Sequence, residues 1–260
     1  MKKLVRFAGA AAMCALIQGG AVASTAAQAV RATNKPAQLT IRHDSLTSTN
    51  WGGYAVQGTD FTNVSGSWVE PAVKCSGTAD KYSSFWVGID GYVSNSVEQL
   101  GTDSDCIGTT PSYYMWWEMY PAASVNPSKS TYPVKPGDSL TASVTESGTT
   151  WTLTITNTTR SWTFTKVKVT SKKFAQSSAE WIAESPEVGG GIAKLANFGT
   201  MGFTNCTAAI ASGASQPISA FTTKSGPHAI TMNNPAGTIR ATPSALDPTG
   251  EQFTMTWHHA

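Results

Sequence analysis

From Asn50 onward the chain reads as short runs of Val, Ile, Thr, Trp, Tyr and Phe separated by turn residues. In Trp151-Thr152-Leu153-Thr154-Ile155-Thr156 the apolar side chains alternate with threonines, which is the two-residue period of a strand with one buried face. Thr141-Ala142-Ser143-Val144 and Trp162-Thr163-Phe164-Thr165-Lys166-Val167 read the same way, and a last strand is predicted over residues 252–257. Pro136-Gly137-Asp138 and Asn157-Thr158-Thr159-Arg160 supply turns at the spacing of an antiparallel sandwich. No segment sustains a helical period and there is no internal repeat. The pattern predicts an all-β antiparallel β-sandwich, as one domain over residues 47–260, a size at which sandwiches occur undivided.

Strand parity separates candidate chemistry from candidate core. In Trp116-Trp117-Glu118-Met119-Tyr120, one face carries Trp116, Glu118 and Tyr120 and the other carries Trp117 and Met119. In Glu180-Trp181-Ile182-Ala183-Glu184 both glutamates share a face with Ile182. In Trp86-Val87-Gly88-Ile89-Asp90, Val87 and Ile89 are core positions, and Trp86, Gly88 and Asp90 fall together. Each strand alone reads equally well as an ordinary half-exposed strand. Three strands that each set acid beside aromatic suggest a common cleft.

Composition narrows the classes. Charged residues make up 13% of the 260 residues, against about 25% in a typical soluble domain. The net charge is only +2, and no basic stripe with interleaved aromatics points to nucleic acid. The N-terminus has Lys2, Lys3 and Arg6, then an apolar run from Phe7 to Ile17, then small residues. That is the layout of a secretory signal peptide over residues 1–29, with cleavage near residue 23 or 29, and the run is too short to span a bilayer. Residues 30–46 read as a pro-segment or flexible lead-in. The expectation is a secreted, extracellular, monomeric protein with no membrane anchor.

Beyond the signal peptide stand Cys75, Cys106 and Cys206. An odd count in an oxidising compartment suggests one bridge and one leftover thiol. Cys75 and Cys106 flank residues 85–101, and a bridge between them would close a loop worth roughly 3 kcal/mol.

Several motifs, in order, resemble the glutamic peptidases, or eqolisins. They are Trp51-Gly52, Trp86-Val87-Gly88-Ile89-Asp90-Gly91, Gln99 before Leu100-Gly101, Trp116 to Pro121, Ala179-Glu180-Trp181-Ile182-Ala183-Glu184, and Phe198-Gly199-Thr200-Met201-Gly202-Phe203-Thr204-Asn205. The resemblance implies a sandwich of the concanavalin A-like or jelly-roll type and an endopeptidase acting on protein or peptide substrates without a cofactor or metal. It implies catalytic roles for Gln99 and Glu184, and substrate-binding roles for Trp51, Asp90, Asp103, Trp116, Glu118 and Tyr120. It also implies a Cys75–Cys106 bridge, because the family has a disulfide in an equivalent place; Cys206 is then a buried core thiol.

The chain departs from the family pattern at Glu98 and Leu100 around the glutamine, and at Ser185-Pro186 after the glutamate. Glu98 sets a carboxylate beside the catalytic amide in sequence, where it could shift the pH dependence; the sequence pI near 8.3 also bears on an acid optimum. Two rivals stand beside the peptidase. One is a sandwich glycosidase using Glu118 and Glu184, although a Glu-x-Asp-x-x-Glu strand is absent. The other is a carbohydrate-binding module, motivated by nine tryptophans. His43, His228, His258 and His259 make no ligand pattern for a catalytic metal, and there is no Gly-x-Ser-x-Gly elbow.

Overall fold

The computed structural model describes residues 39–42, 45–211, 213–222 and 226–260. The expected signal peptide and most of the lead-in lie outside these residues. The described chain forms strands β1 (Leu39–Arg42), β2 (Ser45–Ser48), β3 (Trp51–Gln57), β4 (Phe61–Val69), β5 (Ser84–Ile89) and β6 (Val97–Ile107). These are followed by β7 (Thr110–Tyr120), β8 (Ser139–Ser147), β9 (Thr150–Asn157), β10 (Trp162–Val169), β11 (Ser178–Glu184) and β12 (Glu187–Val188). The last are β13 (Gly191–Ile192), β14 (Thr200–Ile210), β15 (Gln216–Pro217), β16 (His228–Asn233), β17 (Ile239–Pro243) and β18 (Phe253–Trp257). One 3₁₀ turn, Ile218–Ala220, interrupts them, and there is no α-helix among the described residues.

One long sheet runs β10-β9-β8-β4-β14-β18-β17-β16-β3-β11-β5-β6-β7, with β1, β2 and β15 attached beside this path. Its pairings are antiparallel except that β2 adds parallel to β16. The sheet curls back so that β4, β8 and β9 pack across β5, β6 and β11, giving the predicted sandwich. The alternation read in β9 holds: Trp151, Leu153 and Ile155 are buried and the intervening threonines are not. The two layers are pinned as well as packed. Trp181 Nε1 on β11 donates to Ser65 O on β4 at 2.7 Å, and Trp68 Nε1 on β4 donates to Thr102 Oγ1 on β6 at 2.9 Å. Gly66 allows this approach, since a Cβ there would lie 2.9 Å from Trp181 Cδ1.

The main core between the layers includes Trp68, Phe85, Val87, Leu100, Met115, Leu153, Trp181 and Phe203. Each fully buried Leu, Val, Met or Phe in it is worth about 1.5–3 kcal/mol against exposure. A second apolar cluster, with Leu46, Trp51, Trp86, Trp116, Ile182 and Ile230, lies on the opposite face of the β3-β11-β5-β6-β7 layer. Leu46 belongs to the expected lead-in, so β2 takes part in the fold: its apolar side chain completes this cluster. Cys75 and Cys106 are bridged, Cα–Cα 5.4 Å, and Cys206 is free and buried. The bridge anchors the end of β6 to the loop before β5.

Candidate active site

The face carrying the second cluster is set by alternation. On β11 the core takes Ala179, Trp181 and Ala183, which leaves Ser178, Glu180, Ile182 and Glu184 on the opposite side. On β5 the core takes Phe85, Val87 and Ile89, leaving Ser84, Trp86 and Gly88. On β7 the core takes Met115, Trp117 and Met119, leaving Tyr114, Trp116, Glu118 and Tyr120. The predicted parity holds within all three strands, but Asp90, grouped with Trp86 and Gly88, lies past the end of β5 and does not continue it.

Register then places these side chains in lateral rows. One row runs Ala55, Glu180, Gly88, Gln99, Glu118. The next runs Gly53, Ile182, Trp86, Gly101, Trp116. The third runs Trp51, Glu184, Ser84, Asp103, Tyr114. Trp51, Trp86, Gln99, Asp103, Trp116, Glu118 and Glu184 are all buried.

Glu184 ends β11 with a donor on each oxygen. Trp86 Nε1 donates to Oε2 at 2.8 Å, and Asn50 Nδ2 donates to Oε1 at 3.4 Å. Asn50 is aimed by Ser48, whose hydroxyl donates to Asn50 Oδ1 at 3.1 Å and accepts from the Trp51 amide at 3.0 Å. Hydrogen bonds donated to a carboxylate favour its ionised form.

Gln99 donates from Nε2 to Glu118 Oε2 at 2.6 Å across the β6–β7 pair. Gln99 Oε1 is buried with no hydrogen-bond partner. Between Gln99 and Glu184 lies the Trp86 ring. Its Nε1 holds Glu184, while its far edge (Cζ3) and Gln99 Cβ lie 3.0 and 3.1 Å from where a Cβ on Gly88 would sit. A Cβ at Gly88 would press on the indole at 3.0 Å, and one at Gly101 would lie 2.1 Å from Phe85 O and 2.6 Å from Trp86 Cβ. Trp51 packs edge-on against Trp86, with centroids 4.9 Å apart.

Most of the residues singled out from sequence therefore share one face: Trp51, Gln99, Asp103, Trp116, Glu118, Tyr120 and Glu184. Asp90 is set apart from them. It follows β5 at φ 74, which breaks the strand's alternation, and its carboxylate accepts from Gln176 N, Ser177 N and Ser177 Oγ at 2.8–2.9 Å. It caps the turn into β11. Glu98 is also displaced from the role expected of it: alternation turns it to the Leu100 side, away from Gln99. There both its oxygens are buried without a hydrogen-bond partner, and burial, with Asp90 adding to it, raises its pKa to about 10. Glu180 is on the site face, and burial raises its pKa well above the usual range, with Asp90 and Glu98 adding to the shift. Glu118 spends Oε2 on Gln99, and the Glu-x-Asp-x-x-Glu strand of the glycosidase alternative is absent from the sequence. Asn50 and Trp86 were not assigned as site residues from sequence. Both stand in quoted motifs, and Trp86 had the right parity; Asn50 carries no such signal, because its role depends on β3 lying beside β11.

Fold and site together define a class, a β-sandwich protein whose chemistry is carboxyl and amide groups gathered on one sheet face. The chain belongs to the Peptidase A4 family, whose model matches residues 49–245. It is 29% identical over 184 residues to aspergillopepsin-2 of Aspergillus niger, covering 62% of this chain and 64% of that protein. It is 35% identical over 108 residues to scytalidopepsin B of Scytalidium lignicola, covering 41% of this chain and 39% of that one. The chain thus spans less than two thirds of the length of either relative. The fold is similar to that of scytalido-glutamic peptidase solved with a peptide-based transition-state analogue: TM-score 0.67, 24% identity, 81% of this chain and 98% of that one covered.

Proposed function

We propose that the chain is an exported endopeptidase that hydrolyses peptide bonds with Glu184 and Gln99, without metal or cofactor. The observation that carries the reading is the place of Trp86 on the face that Gln99 and Glu184 share: its Nε1 donates to Glu184 Oε2, and its row lies between the Gln99 row and the Glu184 row. Glu184, with a donor on each oxygen, accepts a proton from water. The water oxygen attacks the scissile carbonyl carbon and its proton passes to Glu184. Gln99 Oε1 orients the water, and the NH₂ hydrogen not given to Glu118 stabilises the tetrahedral oxyanion. As the C–N bond breaks, Glu184 returns the proton to the departing amine and is again a carboxylate.

One observation favours a second reading, with Glu180 as the working carboxyl: it shares the Gln99 row and only Gly88 stands between them. Burial raises the Glu180 pKa well above the usual range, which disfavours it as a base, whereas Glu184 has a hydrogen-bond donor on each oxygen. Glu184 is therefore the stronger assignment. The test is cleavage of denatured casein from pH 2 to 8 by wild type, Glu184→Gln, Glu180→Gln and Gln99→Ala, each confirmed folded by circular dichroism. Glu184→Gln should be inactive and Glu180→Gln substantially active. Gln99→Ala should lose at least about 10²-fold in turnover, the effect of one missing oxyanion donor. A fully active Glu184→Gln removes the reading, as does loss of proteolysis to chelators or serine-protease reagents. An inactive Glu180→Gln beside an active Glu184→Gln installs the second reading.

A further inference from the structure

Arg240 on β17 is a buried guanidinium, 4% exposed, with no carboxylate among its hydrogen-bond partners in the described residues. Nη1 donates to Thr49 O at 3.3 Å, and Nη2 donates to Ser185 Oγ at 2.9 Å and Ala193 O at 2.8 Å. Burial lowers its pKa to about 10, so it stays charged throughout the acid and neutral range. A buried cation without a counter-ion is unfavourable for stability, and an apolar replacement of similar volume is commonly neutral or better. The arrangement therefore calls for a reason other than stability.

The three acceptors supply one. Thr49 precedes Asn50, which donates to Glu184 Oε1; Ser185 follows Glu184; Ala193 begins the return from the β12–β13 hairpin. These segments are also tied to each other, since Ser185 N donates to Asn50 O at 2.8 Å and Ser185 Oγ donates to Ala193 O at 2.7 Å. The planar fork of an arginine can bridge several acceptors at fixed angles, which an ammonium cannot. Thr49, Ser185 and Ala193 belong to separate stretches of chain, and Arg240 is the group that joins all three at the end of β11.

We propose that Arg240 is a positioning residue for Glu184, fixing Asn50 and the end of β11 so that the carboxylate keeps its place against Trp86. The inference rests on Glu184 being the working carboxylate. Ser185, where the chain departs from the family pattern after the glutamate, serves as an acceptor for the guanidinium.

The test compares Arg240→Met, Arg240→Lys and Glu184→Gln with wild type by kcat and KM on a fluorogenic peptide that the wild type cleaves, with thermal unfolding alongside. Arg240→Met should fold, lose tenfold or more in kcat and keep KM within about twofold. Arg240→Lys retains the charge but cannot span all three acceptors, and should fall between the two. A purely structural arginine would lower the melting temperature and leave kcat per folded molecule unchanged. Wild-type kcat in folded Arg240→Met overturns the proposal; if that variant does not fold, wild-type kcat in Arg240→Lys overturns it. An active Glu184→Gln would instead remove the reading beneath it, and an inactive Glu184→Gln beside a wild-type-like Arg240→Met removes the Arg240 assignment alone.

Discussion

Glu98→Gln should stabilise this protein at neutral pH and leave it unchanged in acid. Glu98 has no solvent exposure and no hydrogen-bond partner for either oxygen. It sits between Ile89 and Met119 on the neighbouring strands, both core residues. Burial, with the Asp90 charge adding to it and Lys172 opposing it, moves its pKa from 4.5 to about 10. The folded state therefore holds a proton on Glu98 across the whole range from pH 3 to 7, while the unfolded chain releases it above about 4.5. Stability linked to this group is complete below 4.5, falls as pH rises, and stops falling only near pH 10. Each pH unit in that window is worth about 1.4 kcal/mol, so by pH 7 the loss reaches at most about 3 kcal/mol, out of the 5–15 kcal/mol typical of a domain. Glutamine has the shape of the protonated acid and does not titrate. Urea unfolding at pH 3 and pH 7 should show the variant equal to wild type in acid and more stable by up to that amount at neutrality. A stability difference that does not change between the two pH values would refute the burial argument.

Glu70 belongs to the same window. It is buried between β4 and β6, accepts from Thr102 Oγ1 and Ser104 Oγ at 2.5 Å each, and burial raises its pKa to about 8 against those bonds; unfolding midpoints should therefore fall steadily from pH 4.5 towards 8 in wild type. Trp86→Phe keeps the ring but removes the donor to Glu184 Oε2; a hydrogen bond to a charged group is worth about 1.5–3 kcal/mol, so kcat should drop ten- to a hundredfold and the acid limb of the pH–rate profile should move to higher pH. Glu118→Gln can present either end of its amide to Gln99, so it should reduce kcat with little change in KM, and an unaltered kcat would remove the orienting role. Cys75→Ser with Cys106→Ser should lower stability by about 2–5 kcal/mol, read as a fall in the urea midpoint at constant slope.

Much of this was legible from the chain. The period of two in 151–156 predicted a strand buried on one side, and it is; the parity of the 86–90, 116–120 and 180–184 runs put Trp86, Glu118, Glu180 and Glu184 on one face, and the structure does too. Glu98 was misread for want of that same rule: adjacent strand residues face opposite ways, so being next to Gln99 in sequence places its carboxyl in the core. Asp90 escaped because one residue at positive φ ends the alternation. The Gln99–Glu118 bond could not be seen, since it depends on the β6–β7 register, which the Gly108 turn sets. Asn50 meets Glu184, 134 residues away, and Arg240 meets Thr49, Ser185 and Ala193, 47 to 191 residues away. Local pattern reports which face a side chain takes; only the order of strands reports whom it meets there.

The core and the site place opposite demands on pH, and together they confine the enzyme to a window. In the proposed reaction Glu184 accepts a proton from water, with Trp86 and Asn50 donating to its two oxygens. Glu70, Glu98 and Glu180 must stay protonated for the fold to keep its stability, and that condition erodes as pH rises above 4.5. On the proposed reaction, the acid limit of activity is set at the site and the neutral limit by carboxyl groups that the reaction does not use. The pI near 8.3 counts each carboxyl as though it were exposed, and so says nothing about either limit. Replacing Glu98 by glutamine should therefore extend the range in which the enzyme survives on the neutral side and leave the acid limb of its rate profile where it was. Movement of that acid limb instead would mean that Glu98 reaches the reaction after all.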